Sequence, residues 1–367
     1  MIRVLIVDDS ALMRRHLNNL LSKERGFETA TARNGIEALD LLERQDFDVV
    51  TLDVNMPEMD GLTCLSRIMA NKPTPVVMVS SLTEEGAEAT FEALALGAVD
   101  FVKKPSGTIS LTIDRIEESL IAKIKGAAKA RLKRATNLRH RLVEQRQRAR
   151  EAPPKTTPPA RGVAAVGMVL IGVSTGGPTT LERILPLLPA NLPWPVVVSQ
   201  HMPGNFTGVF ARRLNTICHL EVVEVDSQMP VVAGRIYIAR GDGDVVFSQR
   251  GGRLLAMPMP AGADYFWHPS VERMVESALS QLPAEQLIGV LLTGMGNDGA
   301  EAMTKLKQRG GQTIAQDEDT SVVFGMPAEL IARKGASVVL ADEDVAEQVS
   351  IWLRVHGAFK QGGRHAG

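Results

Sequence analysis

The stretch MIRVLIVDDS (1–10) decides the first half of the fold. Val4 to Val7 are apolar without a break and run straight into Asp8 and Asp9. A short apolar run that stops on charge reads as a buried strand ending at a sheet edge. The run is too short for a signal peptide or a membrane span. Working outward, DVVTLDV (48–54), PVVMVS (75–80) and DFVKK (100–104) repeat the pattern. Between the runs lie stretches such as SALMRRHLNNLLSK (10–23), with apolar residues at helical spacing. Strands alternating with helices at this rhythm predict a parallel five-stranded sheet covered on both faces.

Composition bounds the rest. The chain has 367 residues, 44% hydrophobic and 23% charged, enough for two or three ordinary cores. Two cysteines, Cys64 and Cys218, exclude a disulfide scaffold and a four-cysteine zinc site. Residues 162–181 lack charge, but STGGPTT breaks the run into a strand and a turn. A soluble, cytoplasmic setting is expected. The net charge of −1 hides three blocks. Residues 1–122 hold 12 Lys+Arg against 20 Asp+Glu, residues 123–161 hold 13 against 2, and residues 162–367 hold 16 against 20.

The organisation expected is therefore a first domain at 1–122, a connector at 123–161, a second domain at 162–355 and a flexible tail at 356–367. Running into the connector, Ile116, Leu120, Ile124, Ala128, Leu132, Ala135, Leu138 and Leu142 form a helical stripe. EAPPKTTPPARG (151–162) then forbids a helix and forms a semi-rigid tether. In the second domain MVLIGVS (168–174), PVVVSQ (195–200), IGVLLTG (288–294), QTIAQ (312–316) and SVVL (337–340) read as parallel strands. Within 234–257, GRIYIA, DVVFSQ and RLLAM lie too close together for helices between them and are expected as antiparallel hairpins.

In the first domain Asp8 and Asp9, Asp53, Ser80 and Lys104 each close a strand, so all face the crevice at the carboxyl edge of the sheet. Three carboxylates repel one another and call for a divalent cation. Oxygen-only ligands suit magnesium. Asp53 is the natural phosphoryl acceptor. Asp8, Asp9 and the carbonyl of Asn55 would help to hold the metal, Lys104 would neutralise charge, and Ser80 would bind phosphoryl oxygens. Each residue alone is equally a solvated strand end or a cap; five in order are not. VDDS, LDVNMPEMDGL, MVSS and KKPSG resemble the receiver domain of bacterial response regulators, a flavodoxin-like fold. The resemblance implies phosphorylation of Asp53 by a histidine kinase and a switch through Ser80 and the aromatic Phe101, which can also be read as plain core.

The second domain carries a different chemistry. In IGVSTGGPTTLERIL, Ser174 ends a strand and two glycines and Pro178 lead into a helix. SQHMPGNF places His201, and LLTGMGNDGAEAM places Asp298, at the same edge. A serine becomes a nucleophile when an imidazole takes its proton and a carboxylate fixes that imidazole. Of seven histidines, His201 and His268 are candidate bases; His268, beside a proline and before a helix, suits a cap or rim. The order Ser, His, Asp and the lack of a G-x-S-x-G elbow argue against a standard lipase or esterase. The loop TGMGNDG alone could cradle a phosphate.

GVSTGGP, SQHMPGNF, GRIYIA, HPSVERM, LLTGMGNDGAEAM and AQDEDTSVVFGMP look like the chemotaxis protein-glutamate methylesterases, the CheB family, over about 163–350, with a Rossmann-like α/β catalytic domain. The resemblance implies a hydrolase that removes methyl esters from chemoreceptor glutamates, deamidates receptor glutamines, and is opened by phosphorylation of its receiver. It implies Ser174 as nucleophile, His201 as base and Asp298 as orienting acid. Thr175 and the Met295 amide would support them, with no metal needed for hydrolysis. Magnesium belongs to the receiver. The partners are methylated chemoreceptors and a kinase, in receptor arrays but not embedded in the membrane, and not nucleic acid. After GRIYIA the family continues with a proline and a histidine, where this chain has Arg240 and, near the histidine, Asp244. That loop is expected to border the substrate cleft or to be a tolerant surface hairpin. A non-catalytic scaffold and an esterase with another substrate are the competing readings.

Overall fold

The computed structural model describes residues 1–80, 83–104, 111–130, 132 and 167–355. The chain divides into two units, 1–144 and 145–367. Pro105, the rest of the helical stripe from Ala135, the tether 151–162, the tail 356–367, and His140, His356 and His365 lie outside the described residues.

The first unit is one parallel sheet in the order β2-β1-β3-β4-β5. Its strands are β1 (Ile2–Val7), β2 (Phe27–Ala32), β3 (Val49–Asp53), β4 (Val76–Ser80) and β5 (Asp100–Lys103). β1, β3 and β4 are almost entirely apolar and buried, as strands covered on both faces must be. β2, FETATA, lies at the sheet edge and is half-polar, so no apolar run announces it. Chain order reverses between β1 and β3, and Val7 pairs with Leu52, so Asp8 follows beside Asp53. Four helices begin on a side chain that accepts the N–H three residues on: Ser10, Asn34, Asp60 and Thr83. Each cap stabilises its helix by about 1 kcal/mol.

The last described helix of this unit, Leu111–Ala127, runs past the expected boundary at residue 122. Lys123 is buried, and its ammonium donates to the Asp100 carboxylate and the Phe101 carbonyl, both at 2.8 Å. Leu120, Ile124 and Ala127 are buried with it. The start of the basic block is thus part of the receiver-like core, because a buried lysine is tolerated once paired. The helix ends at Ala127, short of the predicted stripe: Ala128 lies in a turn and Leu132 has no regular structure.

The second unit is built on seven parallel strands in the order β15-β14-β13-β6-β7-β10-β8. They are β6 (Met168–Val173), β7 (Val196–Gln200), β8 (Glu221–Val225), β10 (Arg235–Ala239), β13 (Leu287–Leu291), β14 (Gln312–Gln316) and β15 (Val338–Leu340). A second, antiparallel sheet joins β11 (Gly243–Arg250) and β12 (Arg253–Pro260) to the short β9 (Met229–Pro230). The GRIYIA strand therefore departs from expectation: β10 pairs parallel with both β7 and β8. The crossover between β8 and β10 passes through β9 of the other sheet instead of a helix, so closeness in sequence did not mean a hairpin. The core runs through Leu170, Val197, Tyr237, Val275 and Leu291. The buried Tyr237 hydroxyl donates to the Pro230 carbonyl and accepts from the Val232 amide, which offsets its burial. Among the described residues no helix is long and apolar enough to cross a membrane.

Candidate active site

Adjacent strands bring Ser174 and His201 together. β6 pairs with β7, Val173 opposite Gln200, so the next residues on each are Ser174 and His201. The His201 amide donates to the Val173 carbonyl at 3.2 Å. Below Ser174, its carbonyl accepts from the Gly177 amide and the Gln200 side chain. Gly176 has φ +78°, which turns the chain sharply into the helix Gly177–Ile184. Ser174 and His201 are both nearly buried.

Asp298 reaches the same point from the loop after β13. Its Oδ2 lies 2.7 Å from His201 Nε2 and also accepts from the Val271 amide at 2.7 Å. Its Oδ1 accepts from the Glu272 amide at 2.9 Å and the Ser270 hydroxyl at 3.1 Å. The acid thus rests on the first turn of the helix Val271–Gln281, whose free amides stabilise negative charge. Burial pushes this carboxyl up, but His201 and the amides outweigh it and hold it below the ordinary range. With the Asp298 carboxylate accepting, Nε2 is the donor of this hydrogen bond, and Nδ1 is the ring nitrogen left for a base. Nδ1 is buried and has no hydrogen-bond partner among the described residues, Ser174 included. Such a bond is often long before substrate binds.

The TGMG turn closes against the serine. A Cβ on Gly294 would fall 2.7 Å from Ser174 Cβ, so only glycine fits. The next residue is Met295, and its N–H makes no hydrogen bond among the described residues. Thr175 is buried, and its carbonyl accepts from the Thr293 hydroxyl, which itself accepts from the Val323 amide. The sequence reading missed Trp267, whose ring stacks on His201 with centroids 5.5 Å apart and planes 11° from parallel. It also missed Ser270 and the helix end under Asp298. A serine before an amphipathic helix was the available signal. Glu272 is pushed up to about 7 by burial and by Asp298, Glu276 and Glu301.

Of the alternatives expected, His268 is not the helix cap and Asp244 is not a surface residue. His268 Nδ1 binds Asp244 Oδ1 at 2.8 Å, and Ser270, not His268, caps the helix. Asp244 is 1% exposed, so it is no surface hairpin residue. Arg240 is exposed, and with Gly204, Asn205 and Pro258 it lines a cleft of about 400 Å³ that Asp244 also borders.

The first unit gathers the other predicted residues. Oxygens of Asp8, Asp9 and Asp53 lie within 4.8 Å of one another. The Lys104 ammonium bridges Asp53 at 2.6 Å and Asp8 at 3.0 Å. The Asn55 amide is 3.4 Å from Asp53 Oδ1, and Asp9 is exposed. Burial, with the Asp8 charge, raises the Asp53 carboxyl despite Lys104. Burial lowers the lysine, but Asp53 and Asp8 win and raise it. This all-oxygen donor set fits magnesium. Ser80 is buried and donates to the Gly86 carbonyl at 3.1 Å. Phe101 is fully buried, edge-on to Phe91, with the Lys123 ammonium 5.1 Å from its ring centre.

Comparison with known proteins agrees with this division. Residues 169–349 match the family described as CheB methylesterase, and residues 4–114 the response regulator receiver domain. The protein-glutamate methylesterase/protein-glutamine glutaminase 3 of Rhodospirillum rubrum is 62% identical over 357 residues, spanning 96% of each chain. The protein-glutamate methylesterase/protein-glutamine glutaminase 2 of Rhodopseudomonas palustris is 52% identical over 360 residues, 96% of this chain and 98% of its own. The crystal structure of the Thermotoga maritima CheB methylesterase catalytic domain is 37% identical, covering 51% of this chain and 98% of its own at a TM-score of 0.49.

Proposed function

The chain belongs to the protein-glutamate methylesterase/protein-glutamine glutaminase family, and from that premise we propose that it hydrolyses glutamate methyl esters on chemoreceptors and deamidates receptor glutamines, under control of its receiver. The observation that carries the reading is the Asp298 carboxylate 2.7 Å from His201 Nε2, with Ser174 on the adjoining strand end. His201 Nδ1 takes the Ser174 proton as Oγ attacks the ester carbonyl. The imidazolium, held by Asp298, then returns that proton to the methoxide leaving group, releasing methanol. Water repeats the cycle on the acyl-enzyme and frees the glutamate. The Met295 amide, beside Ser174, would take the developing oxyanion, and Thr175 would fix the turn.

Asp53 is the proposed phosphoryl acceptor. Asp8, Asp9 and Asp53, with the Asn55 carbonyl, would hold magnesium. Bound there, the ion would offset charge on the incoming phosphoryl group. Lys104, now shared by Asp53 and Asp8, would bind the phosphoryl oxygens, and Ser80 would turn from Gly86 toward them. Phe101 fits its proposed switch role only by leaving or rotating within a full core. The phosphodonor would be a histidine kinase, and the setting the cytoplasmic face of receptor arrays.

The test is methanol release from methylated chemoreceptor membranes, with and without acetyl phosphate and magnesium, beside Ser174→Ala. Release that rises with the phosphodonor and disappears in the variant is expected. No release by folded protein under any condition sinks the proposal.

A further inference from the structure

We propose that Asp244 is a positioning residue for the catalytic constellation, pinning the segment 262–273 that both lays Trp267 on His201 and offers a helix end to Asp298. The inference rests on the hydrolase reading above and adds a residue to it.

Asp244 starts far from the serine in sequence, on β11 in the antiparallel sheet. Its carboxylate is buried and accepts four hydrogen bonds. Oδ1 takes His268 Nδ1 at 2.8 Å and the Ser270 amide at 2.7 Å. Oδ2 takes the Gly262 amide at 3.0 Å and Arg273 Nη1 at 2.7 Å. All four donors belong to one segment, 262–273. A carboxylate has about four acceptor positions, so this one is filled. Two of its donors flank Trp267, and two flank Val271 and Glu272, whose amides hold Asp298. Ser270 joins the carboxylates directly: its amide goes to Asp244 and its hydroxyl to Asp298. The face of the imidazole, against Trp267, and its Nε2, against Asp298, are therefore set by one pinned segment.

The ligation also accounts for the residue type. The imidazole that the family resemblance leads one to expect near this position accepts at one nitrogen only. It could not serve Gly262, His268, Ser270 and Arg273 together. The carboxyl is held down to about 2, despite burial, by His268, Ser270, Arg273 and Gly262.

Asp244→Asn tests the role, because it keeps the volume but removes the charge and half the acceptor capacity. Initial rates of methanol release against receptor concentration are expected to show kcat down about 30-fold and KM within about twofold, a fall of about 2 kcal/mol in transition-state stabilisation. Because Asp244 acts through Asp298 and His201, the same substitution in an Asp298→Asn background should cost less than about threefold. Arg273→Gln, on a partly exposed partner, should give a smaller drop with the same non-additivity and serves where Asp244→Asn does not fold. Three results overturn the proposal: wild-type rates, fully additive losses, or a KM rise at constant kcat, which would make Asp244 a wall of the neighbouring cleft. If the wild type itself releases no methanol, the hydrolase reading has failed. The relay then stands or falls on the rate at which a fluorophosphonate labels Ser174, which must follow the same order across the variants.

Discussion

Asp53 and Asp298 look alike in outline and behave in opposite ways. Each lies at or beyond the carboxyl end of a parallel strand, and each has a basic nitrogen within 2.6–2.7 Å. Yet the first carboxyl is raised above the ordinary range and the second is lowered. The partner does not decide this, since the raised acid has the stronger cation. The number of donors does. Asp298 has two amides and a hydroxyl besides its imidazole, delivered by one helix end. Asp53 has Lys104 and a single long amide contact, and a second acid, Asp8, beside it. A fully ligated carboxylate can only hold its neighbour in place. A poorly ligated one keeps lone pairs for a phosphoryl group. On the proposed reading, the same side chain would serve as anchor or nucleophile according to how much backbone the fold brings to it.

The comparison can be broken by removing each role in turn. The largest effect is expected for Ser174→Ala: methanol release should drop by about 10⁴-fold or more, while labelling of Asp53 by radioactive acetyl phosphate stays intact. Loss of both would mean that the two chemistries are not separate. Asp298→Asn should cost about 10³–10⁴-fold in kcat, because the amide no longer fixes the proton on His201 Nε2. A loss under tenfold would show that Asp298 is not the orienting acid.

Stability should separate the two carboxylates by sign. Asp298 is lowered, so it stabilises its unit above the unfolded value near 3.8, and the stabilisation is lost as pH falls through the folded value. Asp53 is raised, so its ionisation costs stability as pH rises above 3.8. At pH 7.5, denaturant melts should show Asp298→Asn destabilised by about 2 kcal/mol and Asp53→Asn stabilised by about 1 kcal/mol. Both differences should shrink toward pH 3. Shifts of the same sign would refute the donor-count argument.

The smallest effect concerns Glu272, raised from 4.5 to about 7 by burial and by Asp298, Glu276 and Glu301. The folded state binds the extra proton between those values, so stability falls as pH rises through that window. Glu272→Gln should therefore gain about 1 kcal/mol at pH 8 and nothing at pH 4. A gain that does not change with pH would point to packing instead.

Much of this was legible in the sequence because strand ends carry the chemistry. Apolar runs ending on Asp8, Asp53, Ser80, Ser174 and His201 mark both the strand and its edge, and parallel sheets put those edges together. Strands without such runs were harder to see. β2 and β8 are half-polar edge strands. β10 was visible but misplaced, because its crossover uses a strand of the second sheet in place of a helix. Lys123 counted as one charge of a basic block until the helix carried it onto Asp100.

Residue types and their spacing alone determined which groups could act: an acid cluster for a phosphoryl group, and a serine, an imidazole and a carboxylate for acyl transfer. Only the tertiary structure decided how each group is tuned. Asp298 meets Val271 and Ser270 across 27 and 28 residues, Asp244 meets Ser270 across 26, and Trp267 covers His201 from another loop. Hydrogen bonds and burial act over a few ångströms in space, and no local pattern encodes which distant amides will arrive within that range.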